Sequence, residues 1–160
     1  MVTPAEVERR YVNVRSALER DGLEAALVCG SEYTGFEGAV TYLSGFQIVH
    51  RYAYVLLPCE GEPAIVFPSE ARYVGEHSTT WIDEQVFADR PGDWLADRLR
   101  GQRVGVYGLD YVMAPRDYAA LDYADSRSDY LIWSNTRRAQ RRAELQAHEL
   151  GVRVLEIASG

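Results

Sequence analysis

Arg51 has a side chain of a type that can recognise an anionic ligand. It follows His50, and both come shortly after a turn at Gly45 and Phe46. A guanidinium can bind a carboxylate through two parallel hydrogen bonds, and Arg51 is suited to that contact. A solvated loop tip would carry the same two basic residues, and the sequence leaves both interpretations open.

Side chains that commonly bind metal ions are few and scattered. The histidines are His50, His77 and His148, and none has a second histidine three or four residues away. The two cysteines, Cys29 and Cys59, lack zinc-site spacing, and we interpret them as buried or half-buried thiols. We therefore expect no metal site and no bound cofactor within these residues.

A glycine-rich segment upstream of Arg51 is a second candidate. Residues 30–38, GSEYTGFEG, follow an apolar run and resemble a phosphate-binding loop only superficially. The segment lacks the Gly-Lys-Ser/Thr ending of such loops, and Glu32 and Glu37 would repel an anion. We interpret it as a surface loop. An alternative hypothesis joins Glu32 and Glu37 with His50 and Arg51 in the active site of a small α/β enzyme.

Composition and charge exclude several functional classes. The 160 residues carry a net charge of −7 with a pI near 5.0, and such a charge repels nucleic acid and anionic membrane surfaces. No apolar stretch approaches the ~20 residues that span a bilayer, and the first residues lack the apolar region of a secretory signal. We expect a cytoplasmic protein with neither a nucleic-acid partner nor a membrane partner.

The elements that position the candidate residues begin with an amphipathic helix. Thr3 is a typical N-cap residue, Pro4 suits the first helical position, and Gly22 can end the helix. The apolar stripe of this helix consists of Val7, Tyr11, Val14 and Leu18. The run Leu23–Cys29 predicts a buried strand, and residues 39–46, AVTYLSGF, predict a short helix that ends in a chain reversal.

The remainder of the chain alternates strands with helices. Tyr52–Leu57 and Ala64–Phe67 predict a hairpin, after which Ser69 is expected to cap a brief helix over Glu70–Gly75. Further strands are expected at Trp81–Phe87, Val104–Tyr107 and Tyr130–Trp133. Further helices are expected at Pro91–Arg100, with Trp94, Leu95 and Leu99 inward, and at Pro115–Ala124. The pattern predicts an α/β fold with a mixed sheet flanked by helices.

The character of the sequence changes near its end. Residues 1–135 are predicted to form one domain, and residues 136–160 a linker helix and the start of a further domain. The linker is rich in arginine, at Arg137, Arg138, Arg141 and Arg142. Whether Val152–Ala158 forms a strand or a helix stays open.

Five short motifs, in this order, resemble the N-terminal domain of the creatinase/prolidase/aminopeptidase P family. They are the strand motif Gly22–Val28 (GLEAALV), the turn Tyr42–Phe46 (YLSGF), the hairpin Tyr52–Phe67, the helix motif Ala71-Arg72-Tyr73, and the strand motif Arg103–Val106 (RVGV). The resemblance extends over residues 5 to 133 and implies a mixed-sheet α/β architecture with a ribonuclease H-like motif.

The resemblance also implies where the chemistry takes place. In this family a following catalytic domain carries the two divalent metal ions (Mn, Co or Zn), and its carboxylates and histidine would lie beyond Gly160. The present domain alone would be inactive and would shape substrate access and subunit contacts in an Xaa-Pro peptidase. Phe46, His50 and Arg51 would line the substrate entrance. The implied partners are the chain's own C-terminal catalytic domain and a second subunit in a homodimer.

Two other hypotheses accompany this interpretation. The chain could be a stand-alone binding or interaction module of the same fold. It could also be the N-terminal domain of a creatinase-like amidinohydrolase.

Overall fold

The computed structural model describes residues 2–32, 37–49, 51–75, 79–108, 129–132 and 155–156. The helices are α1 (Pro4–Arg20), α2 (Glu37–Ser44), α3 (Arg72–Gly75) and α4 (Pro91–Arg98). The strands are β1 (Ala25–Ser31), β2 (Tyr52–Pro58), β3 (Ala64–Pro68), β4 (Glu84–Ala88), β5 (Arg103–Tyr107), β6 (Asp129–Ile132) and β7 (Leu155–Glu156). A 3₁₀ turn at Ser69–Ala71 leads into α3.

Within the described residues the strands form one mixed sheet in the order β4-β3-β2-β1-β5-β6-β7. Strand β2 is antiparallel to both of its neighbours, β1 and β3, and the other pairs are parallel. The predicted mixed-sheet α/β fold is confirmed. The hairpin supplies one antiparallel pair, as predicted, and the β1–β2 pair is a second.

Every residue of β1 is buried, which shows that both faces of the sheet are covered. The core therefore lies on both sides of the sheet. Side chains alternate along a strand, so Leu27 faces one layer and Val28 the other. Leu95 of α4 and Leu99, which directly follows α4, pack in the same layer as Leu27. Leu18 of α1 and the buried residues of α2 pack in the same layer as Val28. Val7 and Val14 of α1 and Trp94 of α4 also pack against these clusters. The inward residues predicted for α1 and α4 are therefore confirmed.

Local signals determine where α1 begins and ends. The Thr3 hydroxyl accepts a hydrogen bond from the Glu6 N–H at 3.3 Å, and Gly22 follows the helix at φ +67°. Hydrogen bonds from Arg9 and then Arg10 lower the pKa of the Glu6 carboxyl to about 2, so this first-turn residue is ionised at neutral pH. A negative charge in the first turn of a helix also interacts favourably with the helix dipole and stabilises the helix. The predicted cap and terminator of α1 are confirmed.

The carboxyl end of α2 is closed by side chains from distant parts of the chain. The last carbonyls of a helix have no partner inside it. The Leu43 carbonyl accepts hydrogen bonds from the Tyr11 hydroxyl at 2.9 Å and from Trp81 Nε1 at 2.8 Å. The Ser44 carbonyl accepts from the Trp81 N–H at 3.1 Å and from the Thr80 hydroxyl at 2.7 Å. We call this arrangement the α2 cap.

Two further features complete the α2 cap. Burial raises the pKa of the Tyr11 phenol, so this hydroxyl remains a donor at neutral pH. Arg10 donates to the Tyr42 carbonyl at 2.7 Å, and its guanidinium lies 4.3 Å from the centre of the Tyr42 ring. Helix α1 therefore holds the end of α2 through two consecutive residues, Arg10 and Tyr11.

Gly45 lets the chain reverse directly against the α2 cap. Its φ is +73°, a left-handed value that glycine adopts without a steric penalty. A Cβ at this position would lie 2.5 Å from two carbon atoms of the Trp81 ring. The predicted helix and reversal over AVTYLSGF are confirmed. Glycine is required at position 45 by its left-handed φ and by the closeness of the Trp81 indole.

One local prediction is confirmed only in part, and another is wrong. The strand expected at Trp81–Phe87 begins only at Glu84, because Trp81 uses its backbone N–H and its indole N–H in the α2 cap. Ser69 does not cap the helix after β3. It lies inside the 3₁₀ turn, and the N-cap position belongs to Pro68, which makes no side-chain cap hydrogen bond.

Several predictions fall outside the described residues. These are the helix at Pro115–Ala124, the end of the strand at Trp133 and the arginine-rich segment. The division of the chain at residue 135 stays a prediction. The segment Val152–Ala158, left open above, contains the strand residues Leu155–Glu156, which pair with β6.

Gly45→Ala is expected to destabilise the chain by about 3 kcal/mol, because it adds left-handed strain and a collision with the Trp81 ring. Gly101→Ala is the matched control. Gly101 has φ +78°, but its ideal Cβ has no heavy atom within 4 Å. The control should therefore cost only the strain, about 1 kcal/mol. Urea unfolding of both variants measures the difference, and equal losses would show that the indole does not restrict this turn.

Candidate functional site

The direction of the strands gathers several polar side chains at one end of the sheet. β1, β3, β4, β5, β6 and β7 run the same way, and β2 runs opposite. The carboxyl ends of six strands therefore meet the amino end of β2. We call this region the carboxyl end of the sheet. In α/β sheets, ligands bind outside the carboxyl ends of the strands.

Arg51 lies at this end, directly before β2, in a left-handed backbone conformation with φ +63°. A residue with a Cβ adopts this conformation only at a cost of about 1–3 kcal/mol, so the surroundings must hold it there. Glu32, directly after β1, does so. The Arg51 N–H donates to Glu32 Oε1 at 2.8 Å, and the Glu32 N–H donates to the Arg51 carbonyl at 3.2 Å.

The Arg51 side chain pairs with Glu70, which lies in the 3₁₀ turn after β3. The distance from Arg51 Nε to Glu70 Oε1 is 3.3 Å, and the two side chains are 51% and 41% exposed. An ion pair this exposed contributes at most about 1 kcal/mol to stability. Glu32, Arg51 and Glu70 thus join the ends of three adjacent strands, and we call these three residues the Arg51 cluster.

Phe46 and His50, the other two residues predicted at the substrate entrance, are not part of the Arg51 cluster as the structure describes it. Phe46 is buried at 6% exposure, and its ring lies edge-on to Phe67 with the centroids 4.9 Å apart. Its carbonyl accepts a hydrogen bond from the Thr41 hydroxyl at 2.9 Å. In this chain Phe46 therefore anchors the turn from the inside. His50 lies outside the described residues.

Glu37, named in the small-enzyme hypothesis, lies at the first residue of α2 and not in the Arg51 cluster. It lines a surface groove of about 720 Å³ together with Arg10, Tyr42 and Trp81. Arg51 does not line this groove. In the described residues the structure therefore brings together only Glu32 and Arg51 of that hypothetical site.

Glu70 is the site residue that the sequence interpretation missed. The sequence pattern places Glu70 only within a brief helix, because its distance from Arg51 along the chain hides the contact. The signal that could have found it is topological: a hairpin places the end of its second strand beside the start of its first.

The described part of the chain holds no group of three or more His, Cys, Asp or Glu side chains that could bind a metal ion. Of the cysteines, Cys29 is buried and Cys59 is half-buried, as predicted. Burial raises the pKa of the Cys59 thiol, and its sulfur donates to the Leu23 carbonyl at 3.2 Å. No described helix is long and apolar enough to cross a membrane.

Comparison with known proteins agrees with this fold. The family model described as the creatinase/prolidase N-terminal domain matches residues 10–124. The chain belongs to this family. The resemblance inferred from the five motifs is confirmed. No curated protein sequence gives a significant match.

Among solved structures, similar chains include one described as an Xaa-Pro aminopeptidase from Streptococcus pyogenes, with 19% identity and a TM-score of 0.61 over 82% of this chain and 95% of that one. The N-terminal domain of the cytoplasmic peptidase PepQ from Mycobacterium tuberculosis has 17% identity and a TM-score of 0.60, over 86% of this chain and 98% of that one. An Xaa-Pro dipeptidase from Bacillus anthracis has 15% identity and a TM-score of 0.58, over 80% of this chain but only 34% of that one. At these identities the likeness shows the fold.

Arg51→Gly is expected to leave the creatinase/prolidase N-terminal domain about 1 kcal/mol more stable than Arg51→Ala, because glycine accepts a left-handed φ and alanine does not. Both variants lose the guanidinium, so the contact with Glu70 cancels from the comparison. Urea unfolding of the two variants measures the difference. If alanine were as stable as glycine, Glu32 would not be holding Arg51 in this conformation.

Proposed function

We propose that this chain is the non-catalytic N-terminal domain of an Xaa-Pro peptidase-like metallohydrolase. The observation that carries the proposal is the family match over residues 10–124. The similar structures support it, because they include the N-terminal domain of a peptidase and a dipeptidase of which this chain covers only a third. In this proposal, catalysis belongs to a following domain, as the family resemblance implies.

In this proposal the two divalent metal ions, Mn, Co or Zn, belong to that following domain. When bound there, they would activate a water molecule for hydrolysis of the peptide bond. The present domain would shape the substrate cleft and contribute subunit contacts in a homodimer. A cytoplasmic location is part of the proposal, supported by the cytoplasmic peptidase whose N-terminal domain has a similar fold.

Arg51 is the residue that we assign to substrate access. Its side chain is half-exposed at the carboxyl end of the sheet, where α/β folds bind ligands. Its guanidinium suits the free carboxylate of a short peptide. His50 and Phe46 stay in the proposal as neighbours of this entrance, with Phe46 supporting the turn from the core.

The test compares this chain with the product of its natural reading frame, which we expect to extend past Gly160. The longer protein should hydrolyse Xaa-Pro dipeptides when manganese or cobalt is supplied, and the 160-residue chain should not. Turnover by the 160-residue chain alone would overturn the proposal. Hydrolysis of creatine in place of dipeptides would identify an amidinohydrolase, and a reading frame that stops at Gly160 would favour a stand-alone module.

Arg51→Ala in the longer protein should raise the KM for Xaa-Pro dipeptides about tenfold, because a hydrogen-bonded charge is lost from substrate binding. kcat should change little if the contact is the same in the ground state and the transition state. Arg98→Ala is the matched control. Arg98 is similarly exposed, at 52%, and pairs with Glu84 at the opposite end of the sheet. If the KM of Arg51→Ala equalled that of the control, Arg51 would have no part in substrate access.

A further inference from the structure

Another surface groove lies at the end of the sheet opposite the Arg51 cluster. Pro63 and Asp83, which directly precede β3 and β4, line it together with residues of α1. Its volume is about 410 Å³, which is within the range of known ligand pockets. We call it the α1 groove. The apolar side chains that line it include Val2, Val7, Tyr11, Pro63, Trp81 and Ile82.

The two aromatic side chains of the α1 groove have their polar atoms engaged elsewhere. Tyr11 and Trp81 belong to the α2 cap, where the Tyr11 hydroxyl and Trp81 Nε1 both donate to the Leu43 carbonyl. Trp81 Nε1 also donates to the Tyr11 hydroxyl at 2.9 Å. What these residues can offer a ligand is therefore the carbon surface of their rings, and aromatic rings attract cations.

Four carboxylates surround this apolar surface, and they come from separate elements. Glu8 belongs to α1, Glu62 to the turn between β2 and β3, and Asp83 to the segment before β4. These three side chains are exposed, and none has an ion-pair partner among the described residues. Glu84, the fourth, pairs with Arg98 at 3.2 Å. Three carboxylates of the groove thus keep their charge uncompensated.

These charges act on the interior of the groove. Burial raises the pKa of the Tyr11 phenol, and the carboxylates of Glu62 and Glu8 add to the rise. The Arg15 guanidinium opposes them from 5.9 Å above the Tyr11 ring, but it donates to two backbone carbonyls near the end of β2. One cation against three carboxylates leaves a negative potential over an apolar floor, which attracts a positively charged group.

We propose that the α1 groove is a docking site for a basic side chain, lysine or arginine, of a partner peptide. Charge complementarity supports this occupant. Lysine and arginine combine an apolar stem with a charged end, so the stem would lie on the apolar floor and the charge would reach the carboxylates at the rim. This docking site lies at the other end of the sheet from Arg51. The inference therefore goes beyond the proposed function and does not depend on it.

The experiment titrates the 160-residue chain with the blocked peptide acetyl-Ala-Lys-Ala-amide and follows the backbone N–H resonances of Glu62 and Asp83. Both resonances should shift to saturation. The peptide with norleucine in place of lysine keeps an apolar stem without the charge, and it should bind about tenfold more weakly. Equal binding of the two peptides would overturn the inference. Binding of butylamine without binding of the lysine peptide would show a site for small amines and would also overturn it.

Matched variants separate the α1 groove from the general acidity of the chain. Glu62→Gln and Asp83→Asn should each weaken binding of the lysine peptide about threefold, the effect typical of an exposed ion pair. Glu60→Gln is the control, because Glu60 is exposed in the same turn as Glu62 but does not line the groove. If Glu60→Gln weakened binding as much as Glu62→Gln, the attraction would be unspecific and the inference wrong.

A second pair of variants tests the apolar floor. Val2→Ser removes apolar surface from the groove and should weaken binding of the lysine peptide about twofold. Val12→Ser changes a residue of similar exposure, 48% against 40%, that does not line the groove. This control should leave binding unchanged. Equal effects of the two variants would show that the stem of the basic side chain does not lie in the groove.

Covalent capture tests the contact independently of affinity. The chain contains no lysine, so the added peptide brings the only lysine amine. A carbodiimide joins a carboxylate to an amine in contact with it as an amide and takes up the water that is released. The peptide should become attached at Glu8, Glu62 and Asp83 and not at Glu60. Equal attachment at Glu60 would overturn the inference. A link from the groove to the Met1 amine without peptide would show that the chain's own amino terminus fills the site, and docking of a partner would be wrong.

Discussion

The α2 cap is the arrangement on which the rest of this structure depends. A short helix of eight residues contributes little stability of its own, and its last carbonyls need partners. Tyr11 and Trp81 supply them from positions far away in the chain, and both bind the Leu43 carbonyl. Helix α1, helix α2 and the segment before β4 are joined at this one point, which also determines where the chain reverses at Gly45.

The reversal at Gly45 has consequences for the candidate site. Phe46 enters the core immediately after it, packed against Phe67 of β3, and β2 begins a few residues later. Because β2 runs opposite to its neighbours, its first residues lie beside the last residues of β1 and β3. Arg51 therefore meets Glu32 and Glu70 through the topology of the sheet. Its left-handed backbone is kept in place by hydrogen bonds that the end of β1 provides.

Apart from the cap expected at Ser69, the predictions that rest on local signals agree with the structure. The cap at Thr3, the terminator at Gly22, the hairpin strands and the buried face of α4 are all confirmed, because each depends on residues within a few positions of one another. The wrong start of the strand expected from Trp81 arises because a distant partner changes a local preference. Trp81 has the β propensity of a strand residue, yet the α2 cap binds both of its N–H groups and delays β4 until Glu84.

By itself, the sequence determined the α/β class, the order of the elements and the family, since periodicity, caps and turn residues are encoded locally and recur in a characteristic order. It also singled out Arg51 as a side chain able to hold a carboxylate. Only the tertiary structure decided that Glu32 and Glu70 flank it and that Phe46 is a core residue. Those contacts join residues 19 apart in sequence or more, and no local pattern records which strand ends become neighbours when a sheet assembles.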